Sequence, residues 1–569
     1  MKKINYLIKL MFFCGAFLLS SCETTELNIT ENPNALTPEQ ADPDFFLNAI
    51  QEDFAFLVEG FGRYGAEVTR IDYMEGRVYS SAYSPSNFDD DWEESYQVIM
   101  QDIDLMNNLA VESELNYHIG MGQVFKAYIM MTLVDFFGEV PYTEALHGSD
   151  NLNPMADSGE SIYTEVISLL DGAIANFEGD AAAEPQYDLY YDMDWANWVK
   201  LANTLKMKAY ISTKLVDATA ESKFNAIVSS GNYITSNDED FQFTWGTNEL
   251  LPDTRHPRYS ASYTSTGGGD YMSNSLMDYM TGKNDGAYSN PLNFDIRTLY
   301  YFYRQNSSTP GQDGAEPDEE TLECSLYTPP AHYEGFTYCG VPKGWWGRDH
   351  GNDLGIPPDG FLRTLVGAYP AGGALDDLSY DSKVNGDGNG GAGITPVMLA
   401  SWVQFMIAEF QFDNGEVESA KTSVFNGIDL SIDKVTNFLP STDRFDWLFG
   451  DADDGPAINH QDDFITWFIS DLESDWDAGT NEDKMNILAM QYFVACYGNG
   501  IDPYNFYRRT GYPTTLQPNI EPNPGAFIRS FYYPSNYVNT NVNATQKSTV
   551  TEQVYWDINA ASPGFPVSN

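Results

Sequence analysis

The sequence predicts a mainly α-helical protein in which helix pairs form a scaffold around one large loop-rich insert. Three observations carry this expectation. Helical periodicity runs through residues 34–237 and returns over 396–510. Between them, over 238–395, Gly, Pro, Ser, Asn and Tyr dominate and no long helical period survives. Within the first helical part, Val124 to Phe137 has only Lys126, Thr132 and Asp135 as polar residues. A helix apolar nearly all round has to be enclosed by other elements. This one is too short and interrupted to cross a bilayer. Gly138 offers a left-handed stop, and Pro141 cannot continue the helix.

The chain begins with a targeting segment outside the fold. Lys2, Lys3 and Lys9 form a positive n-region, and Leu10 to Leu19 a short apolar stretch. Leu19-Ser20-Ser21-Cys22 has the lipobox pattern of bacterial lipoproteins. Residues 1–21 are therefore expected to be a signal peptide and 22–33 a tether lipidated at Cys22. Three acyl chains, palmitate among them, at roughly 0.8 kcal/mol per buried methylene make an anchor that does not readily leave. Residues 34–569 form a single body.

Its helices follow in order. Thr37, Pro38 and Gln40 supply an N-cap, a first-turn proline and a capping-box partner for a helix reaching about Glu59. In Asp89 to Leu109, Trp92, Tyr96, Ile99, Ile103 and Met106 recur at three and four residues. Ser158 and Ser161 are candidate caps for a helix ending at Phe177, and Asp194 to Val216 gives another. This rhythm, with no residue-level repeat, is that of tetratricopeptide-like hairpins. In the insert only Tyr271 to Met280 and Asp295 to Arg304 read as helical. Further helices are expected over Pro396 to Phe412, Glu416 to Asn426, His460 to Ile469 and Asn481 to Gly498.

Composition excludes some functions. With 83 acidic and 29 basic residues and a net charge of −54, the chain has no basic patch for nucleic acid. An anionic membrane surface would repel the body, leaving acyl chains as its only hold on a membrane. At 42% hydrophobic and 14% aromatic, the chain is folded rather than disordered. Cys496 lies in an apolar run and reads as core. In an exported protein, Cys324 and Cys339 favour a disulfide worth roughly 3 kcal/mol, with a zinc site adding His332 and His350 as the rival.

Several motifs in fixed order resemble one family. Asp135-Phe-Phe-Gly-Glu-Val-Pro-Tyr-Thr-Glu-Ala145 resembles the signature turn of the SusD/RagB-like surface lipoproteins. The lipobox, the turn at Asn32, Tyr187-Asp188 before the Trp195 helix with its Lys206 and Lys208, and Ala408-Glu409 fit the same series. So do Asn505-Phe-Tyr-Arg-Arg-Thr-Gly-Tyr-Pro513, Arg529 and Tyr533-Pro534. The resemblance runs to about residue 540. It implies a scaffold of tetratricopeptide-like pairs, an outer-membrane location facing outside, and a SusC-like TonB-dependent transporter as partner. It also implies capture of a glycan or peptide without chemistry. Arg508 and Arg509 are expected to pair with buried carboxylates.

No His-Glu-x-x-His, Gly-x-Ser-x-Gly or phosphate loop occurs, and no cofactor is expected beyond one structural calcium. An adhesin or structural lipoprotein is the second reading and a surface hydrolase the third, since abundant carboxylates leave a glycosidase dyad open. Two places in the insert are candidates for binding. In Lys343-Gly-Trp-Trp-Gly-Arg-Asp-His350, either Trp345 or Trp346 offers an indole face, with Arg348, Asp349 and His350 to orient polar groups. The alternative is that both indoles fill the core and Arg348 pairs with Asp349. Asn385, Asp387 and Asn389 alternate with glycines as in the start of a calcium loop, but the twelfth position is Pro396 and not a bidentate Glu, so a flexible turn is the rival.

Overall fold

The computed structural model describes residues 41–263, 270–282, 294–310, 324, 327–354, 362–373, 387–439, 460–562 and 564–566. The signal peptide, Cys22, the tether and the Thr37 capping box lie outside them. Residues 43–569 group as one compact unit.

The mainly helical expectation holds. Helix α1 spans Pro43–Val68. Asp89–Glu93, a π-helical stretch Glu94–Ile99 and Met100–Glu112 run on as α2. The enclosed helix α3 is Asn116–Phe137, followed by α4, Gly159–Glu178, α5, Trp195–Ser212, and α6, Ala220–Ser230. Each helix from α2 to α6 packs on the one before it, the stacking of tetratricopeptide-like pairs. Every residue of α3 from Ala127 to Phe137 is buried, as its composition requires. Gly138 ends it at φ +85° and its N–H returns to Val134 O at 2.8 Å. Ser158 caps α4 as read from sequence, and Asp194, read there only as the start of the next helix, caps α5.

The insert leaves the scaffold and comes back to the place it left. Strand β1, Phe241–Thr244, lies near its entry. Inside it are the helix α7, Asn274–Met280, and the short strands β2, Phe302–Tyr303, and β3, Leu365–Val366. Strand β4, Ile394–Met398, closes the insert. It pairs antiparallel with β1, Thr244 facing Ile394 and Phe241 facing Met398, and β2 pairs antiparallel with β3. The pairing explains why the next helix, α8, starts at Ala400 and not at Pro396: the run before it is a buried strand. Helix α8 ends at Asp413 and packs against α9, Val417–Phe438. Then come α10, His460–Ala478, α11, Asn481–Ala495, and α12, Ile501–Thr510. No helix among the described residues is long and apolar enough to cross a membrane.

Helix α12 packs against α1 at very close range. A Cβ on Gly65 would sit 2.2 Å from the carbonyl oxygen of Gly500, and Gly500 N–H donates to Gly62 O at 2.9 Å. Only glycine at this crossing lets the backbones touch.

The family-like motifs meet in the interior. Asp135 Oδ1 accepts from the Tyr163 hydroxyl at 2.6 Å and the Trp556 indole at 2.8 Å, and Oδ2 accepts from Asn505 Nδ2 at 2.7 Å. Burial pushes this carboxyl up, while Tyr163 and Arg508 pull it back. Arg509 forks onto Glu409 at 2.6 and 2.7 Å, and Lys214 adds a third contact at 2.7 Å. Burial opposes ionisation of Glu409, but the two cations outweigh it and hold the carboxyl below its ordinary value. Lys208 meets Asp502 at 2.6 Å.

Arg508 departs from the expected carboxylate pair. It donates to the Arg529 carbonyl and to Asn505 Oδ1, both at 2.6 Å, and lies 3.7 Å from the Tyr504 ring centre. Aromatic faces and neutral acceptors hold it there, with Asp135 supplying attraction from further off. Replacing Asp135 by Ala would leave three buried donors without acceptors. The expected loss is about 3 kcal/mol or more, read as a lower urea midpoint at unchanged slope.

Candidate functional site

The candidate tryptophans sit on a backbone turn built from special conformations. Lys343 and Gly344 adopt φ +65° and +83°, and Val341 N–H reaches Trp345 O at 2.7 Å across the turn. The segment then runs beside Met272–Asn274, where Arg348 N–H donates to Met272 O at 2.9 Å and Asn274 N–H to Arg348 O at 3.0 Å. A Cβ on Gly344 or on Gly347 would lie 1.9 Å from the carbonyl oxygen of Asn306 or Met272 respectively. The glycines therefore let neighbouring backbone close in, and do not bulge the chain outward.

Both indoles are consequently interior, with exposures of 0% for Trp345 and 1% for Trp346. This corrects the expectation of an exposed stacking face. Trp345 lies under the Arg304 guanidinium at 4.3 Å, with Phe302 edge-on at 6.3 Å. Trp346 lies 5.0 Å from the Arg363 guanidinium, which is also 4.9 Å from the Tyr271 ring. Arg348 covers Tyr271 at 4.7 Å and Tyr73 at 5.4 Å. Guanidinium groups and rings thus alternate through the floor of the insert, where desolvation strengthens each contact.

Asp349 and His350 are buried beside them. Asp349 accepts from Asn274 Nδ2 at 2.9 Å and from Cys339 N–H and Gln517 Nε2 at 2.8 Å each. Burial pushes its carboxyl up, and these donors offset part of that. The His350 ring nitrogen Nε2 lies 3.2 Å from the Tyr79 hydroxyl, and burial together with Arg70 holds the imidazole well below its usual pKa. A fully engaged carboxylate and a neutral buried imidazole give a rigid platform. The five residues are brought together, but beneath the surface. Sequence reasoning missed their partners Tyr73, Tyr271, Arg304 and Arg363, which no local spacing connects.

Cys324 and Cys339 are bonded, with S–S 1.95 Å and Cα–Cα 5.6 Å, and Cys339 packs with Trp346 in a small satellite core. His332 Nε2 lies 2.9 Å from the Asn519 carbonyl oxygen. Asp387 leads into a tight turn in which Asn389 adopts φ +57°, and Asn385 lies outside the described residues. Among the described residues no group of three or more His, Cys, Asp or Glu is placed to hold a metal.

A cleft of about 430 Å³ opens between the approach to α5 and β1. Tyr190, Asp192, Asn197, Asn237, Asp238 and Gln242 line it, and its lining carries no basic residue. Asp188 at its back is used internally, accepting from Trp198 Nε1 at 2.8 Å and from three backbone N–H groups. Asp192 and Asp238 are exposed. Such a wall accepts hydrogen bonds from a hydroxyl-rich or cationic ligand and disfavours an anion.

Residues 40–290 match a family model described as starch-binding and associating with the outer membrane. Residues 388–553 match one described as SusD and RagB outer-membrane lipoprotein. Among solved structures, a SusD/RagB family protein from Bacteroides thetaiotaomicron is similar with a TM-score of 0.61 at 18% identity, covering 91% of this chain and 100% of its own. A chitin-binding SusD homologue from Flavobacterium johnsoniae gives 0.54 at 17%, with 90% and 99% covered. A SusD homologue from Bacteroides fragilis gives 0.58 at 16%, with 92% and 100% covered. No curated protein matches the chain.

Trp345→Ala and Trp346→Ala are each expected to cost about 3–5 kcal/mol of stability, as for buried aromatics generally. Separate melting curves check this, and a Tm unchanged in either variant would put that indole at a surface. Mass spectrometry of a non-reduced digest should show the peptides of Cys324 and Cys339 linked. Two alkylated free thiols would contradict the bond.

Proposed function

We propose that this chain, which belongs to the SusD/RagB-like family, captures a nutrient at the outer membrane and passes it to a SusC-like TonB-dependent transporter. The observation that carries the reading is the pair of family matches over 40–290 and 388–553. They include the buried motifs at Asp135 and Arg509 and both helical parts of the scaffold. Acyl chains on Cys22 hold the protein to the membrane, and the body faces outside. No chemistry is assigned to it, and Asp349 and His350 act as structure.

The ligand in this reading is an oligosaccharide or a peptide. Carboxylates, amides and tyrosine in the acidic cleft favour a neutral hydroxyl-rich ligand or a cationic one over an anion. Chito-oligosaccharides belong in a binding panel because the Flavobacterium johnsoniae relative is a chitin-binding one. Calcium at Asn385, Asp387 and Asn389 remains an accessory proposal, checked by calorimetric titration of the purified chain.

The test is co-purification. Outer membranes solubilised in mild detergent should yield the lipoprotein in a stable complex with a large barrel protein, and an adhesin would come out alone. Cys22→Ser should leave the body folded and move it to the soluble fraction after washing. Retention on membranes would exclude acyl anchoring as its hold.

A further inference from the structure

A second cleft, of about 450 Å³, opens between the turn that joins α2 to α3 and the segment that follows α4. Val111, Glu114, Asn116 and Asp180 stand on its lining, which like that of the cleft beside β1 carries no basic residue. Both volumes fall in the range of small-molecule sites, about 300–1,000 Å³. Adjacent residues connect the two clefts. Asp194 lines the first and is followed by Trp195, the first residue of α5. Asn116 lines the second and is followed by Tyr117, in the first turn of α3. The Tyr117 and Trp195 rings stack at 4.1 Å with 23° between their planes.

The stacked pair is half-buried and so keeps part of its surface in water. Phe177, at the end of α4, is buried and backs Trp195 at 6.0 Å, nearly parallel at 14°. Gly120 makes room for it, since a Cβ there would lie 2.7 Å from the Phe177 ring. The Trp195 indole N–H donates to Glu184 Oε1 at 3.4 Å. Asp194 fixes the start of α5 by accepting from the N–H groups of Ala196 and Asn197 at 3.1 and 3.2 Å. The scaffold therefore holds the pair in place before any ligand arrives.

Polar groups on either side of the pair are not used up by the fold. Asp192 and Asp238 on the first cleft, and Glu114 and Asp180 on the second, are exposed. Gln242, which lines the first cleft, has its Oε1 buried with no hydrogen-bond partner among the described residues. These groups accept hydrogen bonds, and the rings between them present negative π faces to polarised C–H groups. A pyranose chain offers both complements, hydroxyl donors along its edges and C–H groups on its faces. Other occupants fit less well. An anion would meet carboxylates and no cation. A metal ion needs converging ligands, and among the described residues no group of three or more His, Cys, Asp or Glu is placed to hold one. A protein interface is depleted of charge at its centre, whereas carboxylates flank this ring pair on both sides.

We infer that the Tyr117–Trp195 pair and the two clefts form one extended surface site for a neutral oligosaccharide. One sugar ring stacks on the aromatic pair, and further units reach into each cleft. The saccharide class rests on the proposed capture reading, and the site uses none of the residues from Trp345 to His350.

The experiment is calorimetric titration of the full lipidated chain in detergent with disaccharides and hexasaccharides of the cello, malto, xylo and N-acetylchito series. The hexasaccharide of at least one series should bind more tightly than its disaccharide, with little dependence on salt because the ligand is uncharged. Trp195→Ala should weaken that hexasaccharide roughly tenfold, and Trp195→Phe should retain most of the affinity. Asp238→Ala and Asp180→Ala change one exposed position on each cleft, so the melting temperature stays at the wild-type value while binding falls several-fold. A hexasaccharide that Trp195→Ala, Asp238→Ala and Asp180→Ala all bind as the wild type does would overturn the site and leave the capture reading standing. Binding of no series would also overturn it, and co-purification of the barrel then decides the transport reading separately. A disaccharide bound as tightly as the hexasaccharide would overturn the extended site. Tighter binding of a chitosan hexamer or a lysine-rich peptide, lost in Asp238→Ala, would overturn the neutral class.

Discussion

Burying Asp135, Glu409 and Asp502 inside a chain of 83 acidic and 29 basic residues is possible only if scarce cations and donors are directed inward. Lys208, Lys214 and Arg509 are spent on that task. A buried pair is weak evidence of net stability, but removing one partner strands the other at a high cost. Here the pairs also join distant segments. Asp135 binds Asn505 and Trp556, Glu409 binds Lys214 and Arg509, and Lys208 binds Asp502. The two helical parts of the chain are locked together by contacts that tolerate few substitutes, since only Arg offers a fork to fit the Glu409 carboxylate.

That constraint explains which features were legible in the sequence. Val124 to Phe137 could be read as enclosed because its composition left no polar face. The cap at Ser158 was legible because its chemistry is local. The insert was visible as a change in texture, but the β1–β4 pairing that closes it joins residues some 150 positions apart and has no local signal. The same pairing displaced the start of α8 from Pro396 to Ala400.

The candidate site turned on a subtler point. Glycines around Trp345 and Trp346 were compatible with an outward bulge and with close backbone approach. The carbonyls of Asn306 and Met272 decide for the second, and they belong to segments far away in sequence. Once the indoles are interior, the Arg304 and Arg363 guanidinium groups lie over their faces, at 4.3 and 5.0 Å. The residues were correctly grouped, and of the two readings the sequence left open, the one in which both indoles fill the core is the one that holds.

The claim on which all of this depends is that the family-like motifs act as an interior lock between the two helical parts. A double-mutant cycle on Glu409→Gln and Arg509→Met, followed by urea unfolding at pH 7, measures it most directly. Each single change should be more destabilising than its share in the double variant, with a coupling energy of about 0.5–3 kcal/mol. Additivity within about 0.5 kcal/mol would show that the two side chains do not depend on each other, and would contradict the account.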